Sequence, residues 1–372
     1  MKQLVFLFLF LCISSGLQAC YLGNEDTSVY IVVFGDTQYL TEDYKHINVY
    51  KHSIDWIRNE ADEGRHFNCI LHTGDITQTN SPYQWNHFIE ATKSVVDDIP
   101  VISVTGDHDY TWEKSSPYII NRDSTFINDY LQFPLVTDKI VAWFEEGHME
   151  NIVVENSIHG QRLDFLILEF GPRKAVVEWA DAYVKAHPDH HFILMNHEYL
   201  EKGGGLRTTN LKCVLRLTDK DYVTPEQLWN NLIKCNDNIR VVLCGHVGGM
   251  YALTVTPNDY GRDIYQIQHN IQQKDYRYDN WLMLWEFPAE SDSANIFIYN
   301  TKTGKFFNDE RVLFQFKYRD EKGINTSLLA SKEQTRNGYS VFYNEKGLKG
   351  RTKFKGINII MDSEGRAKKV IK

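Results

Sequence analysis

The chain has 372 residues and a formal net charge of −9, with a sequence pI of about 5.9. Its hydrophobic content of 42% and charged content of 24% are typical of a globular protein and exclude the intrinsically disordered class. No basic stripe dominates the chain, which argues against nucleic acid as a partner.

Residues 1–19 are predicted to be a signal peptide. Lys2 supplies a positive charge, and the apolar stretch Leu4–Ile13 is too short to cross a bilayer as a mature helix. The sequence Leu17-Gln18-Ala19-Cys20 resembles a bacterial lipobox, in which Cys20 becomes the lipidated first residue. Cleavage of an ordinary signal peptide after Ala19 is the alternative. We therefore expect export and lipid anchoring to the cell envelope, at the periplasmic or surface face of the outer membrane, or else a soluble secreted or periplasmic protein.

Apolar runs and helical periodicities alternate along the next part of the chain, and strands dominate later. Helices are predicted to start at Ser81-Pro82, where Ser81 is the N-cap, and at the capping box Thr224–Gln227. The predicted strands are Val29–Phe34, Phe67–Leu71, Val101–Thr105, Asn151–Ser157, Leu163–Phe170, His191–Met195, Ile239–Cys244, Tyr251–Val255, Ile264–Gln268, Trp281–Phe287 and Asn295–Tyr299.

This order predicts an α/β fold of four layers, in which two mixed β-sheets pack face to face and helices flank them. The predicted domains are a tether at residues 20–28, a main domain at residues 29–318 and a small β appendage at residues 319–372. Within the appendage, Tyr339–Tyr343 and Ile357–Met361 have strand-like patterns.

Four cysteines remain once Cys12 and Cys20 are set aside. Cys69 and Cys244 lie inside apolar strand patterns and are expected to be buried as small hydrophobic residues. Cys213 and Cys235 flank a loop-rich insertion and could pair in an oxidising compartment.

Polar residues that can bind a metal follow five of the predicted strands. The carboxyl ends of strands are where ligands collect in α/β sheets, and glycine there allows the backbone to turn sharply. A single Gly-Asp or lone His would most simply be a turn or a surface residue. Five such strand ends in one chain instead indicate a site for a divalent metal. They are Gly35-Asp36-Thr37-Gln38, Gly74-Asp75, Gly106-Asp107-His108-Asp109, Asn196-His197 and Gly245-His246.

In their order, these motifs resemble the calcineurin-like metallophosphoesterase superfamily. The sequence is most similar to an extracellular branch with Asp-Thr-Gln as its first motif and Gly-His-Val-Gly as its last. Local matches at residues 34–39, 169–173 and 280–282 support that branch. The resemblance covers residues 29–317.

The resemblance implies a two-metal site in which Asp75 bridges the metals. Asp36 would bind the first metal, and the second would be bound by Asp107, His197 and His246. A metal-activated hydroxide would attack phosphorus, and His108, oriented by Asp109, would assist the leaving group.

Three departures from the family pattern concern the metal positions: two remove an imidazole from the first, and the third adds negative charge to the second. Gln38 replaces the usual His, Asp107 replaces Asn, and the last motif reads His246-Val247-Gly248 without a second His. We therefore expect a tight site for Mn, Fe or Zn and a weak site for Mn, Mg or Ca, to which Gln38 contributes its amide oxygen. Glu169 or Glu198 could complete the weak site.

Residues beside the motifs suggest a substrate pocket. Tyr39, Tyr110, Trp112 and Tyr199 could form an aromatic rim, or could simply pack within the domain. Arg173 could bind a phosphate with its planar guanidinium, or form a structural salt bridge.

The predicted function is therefore hydrolysis of phosphate mono- or diesters outside the cytoplasm. The expected substrate is a small molecule or a phosphorylated glycan or lipid, and the protein is expected to be a monomer that contacts membranes only through its lipid anchor. The alternative is a catalytically weakened metal-binding lipoprotein of the same fold with a binding role.

Overall fold

The computed structural model describes residues 27–113, 119–208 and 213–319, together with short strands between residues 341 and 371. The predicted signal peptide, Cys20 and most of the tether lie outside the described residues. The chain divides into two compact units, Met1–Asp320 and Glu321–Lys372.

The described part of the first unit is built mainly from strands. Its strands are β1 (Val29–Phe34), β2 (His66–His72), β3 (Val101–Ser103), β4 (Tyr110–Glu113), β5 (Ile119–Thr125), β6 (Ile140–Trp143), β7 (Ile152–Val154), β8 (Ser157–Ile158), β9 (Gln161–Ile167), β10 (His191–Met195), β11 (Ile239–Cys244), β12 (Tyr251–Pro257), β13 (Asp263–His269), β14 (Trp281–Phe287), β15 (Ser293–Asn300), β16 (Lys305–Phe306) and β17 (Phe314–Lys317). Its α-helices are α1 (Gln38–Thr41), α2 (Ile47–Asp62), α3 (Pro82–Thr92), α4 (Ile127–Tyr130), α5 (Pro134–Thr137), α6 (Lys174–Ala186) and α7 (Pro225–Leu228).

Two mixed sheets form the centre of this unit, as predicted. The first has the order β16-β15-β14-β1-β2-β3, with β17 also paired to β15. The second has the order β12-β13-β11-β10-β9-β7-β6, with β8 paired to β9. The strands β1, β2 and β3 are parallel, as are β9, β10, β11 and β13. Among these parallel strands, β1, β2, β3, β10 and β11 are followed by the five predicted motifs.

Alternation along β10 shows how the second sheet is packed on both faces. Ile193 and Met195 join the large core shared with the first sheet, whereas Phe192 and Leu194 join a second core that includes Val176 of α6. Successive side chains of a strand point to opposite faces, so the first sheet and α6 lie on opposite sides of this strand. The first sheet is covered by α2 and α3, where Tyr50 contacts Phe34 and Phe88 at ring distances of 4.8 and 5.6 Å.

The helix starts predicted at Ser81 and Thr224 are confirmed. The Ser81 hydroxyl accepts a hydrogen bond from the Gln84 amide, and Thr224 and Gln227 form both bonds of the capping box. His159 and Gly160 both have positive φ in the turn between β8 and β9, as a tight hairpin requires.

The second unit contains one described antiparallel sheet of order β19-β18-β20-β21. Its strands are β18 (Val341–Asn344), β19 (Lys349–Gly350), β20 (Ile357–Met361) and β21 (Ala367–Ile371). Across the described residues of both units, helices fall short of the length and apolar character needed to span a membrane.

Candidate metal centre

Four side chains from different strand ends converge at one edge of the two sheets. Asp75 follows β2, Asp107 lies in a short 3₁₀ turn after β3, His197 follows β10 and His246 follows β11. One potential ligand atom from each lies within 4.8 Å of all the others. The predicted tight site is therefore brought together by the fold.

The donor atoms of this cluster face one another directly. His197 Nε2 lies 3.3 Å from Asp75 Oδ1 and 3.4 Å from Asp107 Oδ1. His246 Nδ1 lies 3.1 Å from Asp107 Oδ1 and 3.3 Å from His197 Nε2. Two carboxylates and two imidazoles at this spacing are a donor set that suits a first-row divalent cation.

Each imidazole of the cluster has an outer contact through its other ring nitrogen. His197 Nδ1 donates to the Thr73 carbonyl at 2.6 Å, which leaves the Nε2 lone pair directed at the carboxylates. On the far side of His246, Nε2 lies 3.5 Å from Glu198 Oε1, and Arg207 Nε holds the same oxygen at 2.5 Å. Such contacts orient metal-binding histidines in proteins.

The backbone at this edge adopts conformations that are uncommon for non-glycine residues. Asp75 and His246 have φ values of 53° and 64°. The strand ends also approach so closely that side chains would not fit between them. A Cβ atom on Gly106 would collide with Asp75 Oδ1, and one on Gly74 would lie 2.8 Å from His197 Nδ1. Glycine is required at both positions.

The charges within the cluster oppose the effect of burial. Burial disfavours ionisation of Asp107, but the neighbouring His108 and His246 outweigh it and hold the pKa of Asp107 well below its usual range. Burial also disfavours the charged form of His197, yet Asp75 and Asp107 raise its pKa well above the usual value. The carboxylates and the imidazoles of the cluster thus stabilise each other's charged forms.

His108 stands at the open side of the cluster, with its side chain 21% exposed. Its Nδ1 donates to the Gln78 carbonyl at 2.8 Å, and its ring stacks on Trp112 at 4.7 Å. Nε2 lies 3.9 Å from Asp107 Oδ2. Burial lowers the pKa of His108, but Asp75 and Asp107 outweigh it and raise the pKa to about 9.

Asp109 has a different role from the one predicted. Its carboxylate accepts hydrogen bonds from the backbone amides of Gly106 (2.9 Å), Ile76 (3.2 Å) and Thr77 (2.9 Å). It therefore ties together the loops that follow β2 and β3, whereas Gln78 is the residue that orients His108.

The predicted first metal position is built differently from the cluster. The Asp36 carboxylate is buried and accepts hydrogen bonds from Asn270 Nδ2 and Gln272 Nε2, both at 2.8 Å. The amide nitrogen of Gln38, not its oxygen, faces Asp75 Oδ2, at 3.1 Å. Asn270 and Gln272 were missed in the sequence because they are amides, although they closely follow the predicted strand Ile264–Gln268.

Neither glutamate suggested for the weak site lies free to bind a metal there. Glu169 accepts hydrogen bonds from Asn151 and Arg173 and lies 3.4 Å from Arg122. Glu198 faces His246 and Arg207 instead. Both suggestions are therefore corrected.

Two of the three predicted substrate-binding residues have structural roles. Arg173 forms salt bridges with Glu169 and Glu145, which was the stated alternative. Tyr110 is fully buried, and its hydroxyl bonds to Thr105 at 2.9 Å. Tyr39 is half-buried and carries the Arg277 guanidinium 3.5 Å from its ring centre.

The remaining rim candidates divide in the same way. Tyr199 is fully buried in the core behind the second sheet. Trp112 does stand beside the cluster, because its indole nitrogen donates to the Asp107 carbonyl at 2.7 Å while its ring stacks on His108.

Cys213 and Cys235 are both free thiols in different surroundings. Burial, followed by the neighbouring carboxylates of Asp107 and Glu198, raises the pKa of the Cys213 thiol. Cys235 instead lies beside Asp181 of α6, with its sulfur 3.9 Å from the carboxylate. The suggested pairing of these cysteines is not formed.

Comparison with known proteins assigns the family. The calcineurin-like phosphoesterase family matches residues 29–249, more than half of the chain. The chain therefore belongs to the calcineurin-like phosphoesterase family, and all four clustered residues lie within the matched part.

Individual relatives are distant. The uncharacterized protein YvnB of Bacillus subtilis (strain 168) is 24% identical over 285 residues, which cover 72% of this chain and 20% of YvnB. A purple acid phosphatase from yellow lupin (Lupinus luteus) seeds has a TM-score of 0.45 and 11% identity, covering 76% of this chain and 53% of its own. A 5'-nucleotidase precursor from Thermus thermophilus has a TM-score of 0.38 and 15% identity, covering 75% and 53%. The chain thus spans a fifth of the curated relative and about half of these two structures.

Proposed function

We propose that this protein is a metal-dependent hydrolase of phosphate esters that acts outside the cytoplasm. The observation that carries the proposal is the buried cluster of Asp75, Asp107, His197 and His246 with His108 at its open side. Family membership supports the same reaction class.

The four clustered residues would hold a divalent cation. When bound, such a cation polarises the phosphoryl oxygen and lowers the pKa of water. The Thr73 carbonyl keeps His197 oriented for this task, and the Glu198 carboxylate lies 3.5 Å from His246 Nε2, where it would support the charge of that imidazole. Mn, Fe or Zn suit the mixed oxygen and nitrogen donors.

In this proposal, His108 donates a proton to the leaving oxygen. The Gln78 carbonyl can only accept, so it holds His108 Nδ1–H and directs Nε2 toward the cluster. Partial exposure lets a substrate reach Nε2, and stacking on Trp112 limits rotation of the ring. An acid so held can contribute roughly 10²–10⁴-fold to the rate.

Replacing His108 tests this assignment. His108→Gln should lower turnover of aryl phosphate mono- or diesters by roughly 10²–10⁴-fold, and bound metal should stay unchanged. His148→Gln is the matched control, because that histidine is 56% exposed. If His108→Gln kept full turnover, the role would be refuted, and lack of turnover with any metal would favour a binding protein of the same fold.

The extracytoplasmic part of the proposal is supported by residues 1–20 of the sequence. Cell fractionation of the full chain should find it in the membrane fraction, and Cys20→Ser should move it to the soluble exported fraction. Recovery of the unmodified protein in the cytoplasm would refute export.

A further inference from the structure

Asp36 is the carboxylate that would bind a second metal, and its lone pairs are taken by protein donors. Asn270 Nδ2 and Gln272 Nε2 each donate to Oδ2 at 2.8 Å. The backbone amide of His246 lies 3.1 Å from both carboxylate oxygens. A carboxylate has about four acceptor positions, so Asp36 is largely satisfied within the protein.

Backbone groups fix the orientation of both amides. Asn270 Oδ1 accepts from the Gln272 backbone amide at 2.8 Å, so its nitrogen must face Asp36. Gln272 Nε2 also donates to the His246 carbonyl at 2.7 Å, an atom that can only accept. Neither side chain can therefore turn its oxygen toward a cation at Asp36 without losing these bonds.

Gln38 extends the same network to the metal cluster. Its amide nitrogen donates to Asp75 Oδ2 at 3.1 Å and to Gln272 Oε1 at 3.2 Å. A continuous chain of amides thus runs from Asp75 through Gln38 and Gln272 to Asp36. The buried Gln38 Oε1 has no hydrogen-bond partner among the described residues, which leaves it able to accept from water.

We infer that the side-chain amides of Gln38, Asn270 and Gln272 take the place of the second metal, so that the enzyme binds a single divalent cation. The position between Asp36 and Asp75 presents N–H groups, which repel a cation, whereas the neighbouring cluster presents four lone-pair donors. This inference rests on the proposed function and replaces the weak metal site expected from the sequence.

Counting bound ions tests the inference without relying on activity. The full-length protein, stripped with chelator and dialysed against excess Mn²⁺, should retain one Mn²⁺ per chain. Its electron paramagnetic resonance spectrum should be that of an isolated ion. Two ions per chain, or a spectrum of an exchange-coupled pair, would overturn the inference.

Two variants distinguish the metal cluster from the position of the second metal. Gln38→Met, close in size, should still retain one ion with an affinity within about threefold of the wild type. The reason is that Gln38 directs an N–H group, which cannot bind a cation, toward Asp75. Asp107→Ala, which removes a ligand of the cluster, should lose the ion. An ion lost from Gln38→Met relative to the wild type would show that Gln38 binds metal and would overturn the inference.

The same count distinguishes this inference from the proposed function. Two ions together with phosphate ester turnover would overturn only the inference that amides replace the second metal, and the proposed hydrolase function would remain supported. No ion and no turnover in the wild type would overturn both.

Discussion

At the residue scale, the two histidines of the cluster depend on groups that never touch a metal. His197 is fixed by a backbone carbonyl, which tolerates substitution around it. His246 Nε2 instead lies 3.5 Å from the side chain of Glu198, which is buried and forms a salt bridge with Arg207. The orientation of His246 is therefore the more sensitive of the two to mutation.

Glu198→Gln should weaken metal binding about 10–100-fold, because an amide cannot replace the negative charge that supports His246. Isothermal titration of the stripped protein with Mn²⁺ measures the change. Glu201→Gln is the matched control, since Glu201 also pairs with Arg207 but is 30% exposed. Equal affinities for Glu198→Gln and the wild type would contradict the role.

The residue scale also shows what local sequence could predict. Asp75, Asp107, His197 and His246 were predicted because acids and imidazoles after strands are chemically conspicuous. Asn270 and Gln272 occupy an equivalent place after β13, but amides are common at strand ends and carry no comparable signal. Their role depends on Asp36, more than 200 residues away in sequence.

At the element scale, the site requires the ends of β2 and β3 to lie in direct contact. Asp109 ties the two loops together, and Gly106 leaves the space that Asp75 fills. Gly106 has a φ of −92°, which any residue can adopt. Glycine is therefore required there only because a side chain would not fit.

Gly106→Ala should therefore destabilise the protein by more than about 2 kcal/mol, since overpacking at a rigid contact costs this much, and should abolish metal binding. Urea unfolding and metal analysis measure both effects. Gly64→Ala is the control: its φ is 98° with no atom within 4 Å of a Cβ, so only backbone strain of about 1 kcal/mol is expected. Normal metal content in Gly106→Ala would contradict the packing argument.

Helix starts and hairpins could also be predicted at this scale, because their signals are local. The burial of Tyr110 could not be predicted, because it depends on a separate small sheet formed by β4 and β5. That sheet buries Tyr110 against Phe170 and Leu217, from distant parts of the chain. Contacts with distant parts of the chain thus bury Tyr110 in the core, although its place in the sequence predicts a position beside the site.

At the scale of the whole molecule, the face-to-face sheets bury histidines that must remain neutral. Burial lowers the pKa of His72 to about 3 and that of His269 to about 4. His72 accepts from the Gly74 amide and bonds to Thr37, while His269 bonds to the Met250 carbonyl. In the unfolded chain both would titrate near pH 6.5.

This difference predicts acid sensitivity. Above pH 6.5 both states carry neutral histidines, whereas below it the unfolded chain binds protons that the folded chain excludes. Each histidine should therefore reduce stability by up to about 1.4 kcal/mol per pH unit as pH falls toward 4. Urea unfolding at several pH values between 7 and 5 gives the free energy of unfolding as a function of pH. Its slope should be shallower for His269→Gln than for the control His52→Gln, because His52 is exposed. Equal slopes would contradict the prediction.

The strands and the packing of two mixed sheets could be predicted from the sequence, but the sheet to which each strand belongs and the order of strands could not. The apolar runs identify β1 and β14 as strands, yet their pairing joins residues that lie some 250 positions apart. This pairing, which becomes clear only in the folded structure, places β1 in the interior of its sheet. Asp36 then lies at the edge where β11 and β13 also end.

The most direct test of the hydrolase assignment is the rate of phosphate release from aryl phosphate esters as Mn²⁺ is returned to chelator-stripped protein. Wild-type activity should be absent after stripping and should return with added metal, while Asp107→Ala should stay inactive at the same Mn²⁺ concentration. Full turnover by the stripped wild type, or by Asp107→Ala, would contradict a metal-dependent reaction at this cluster.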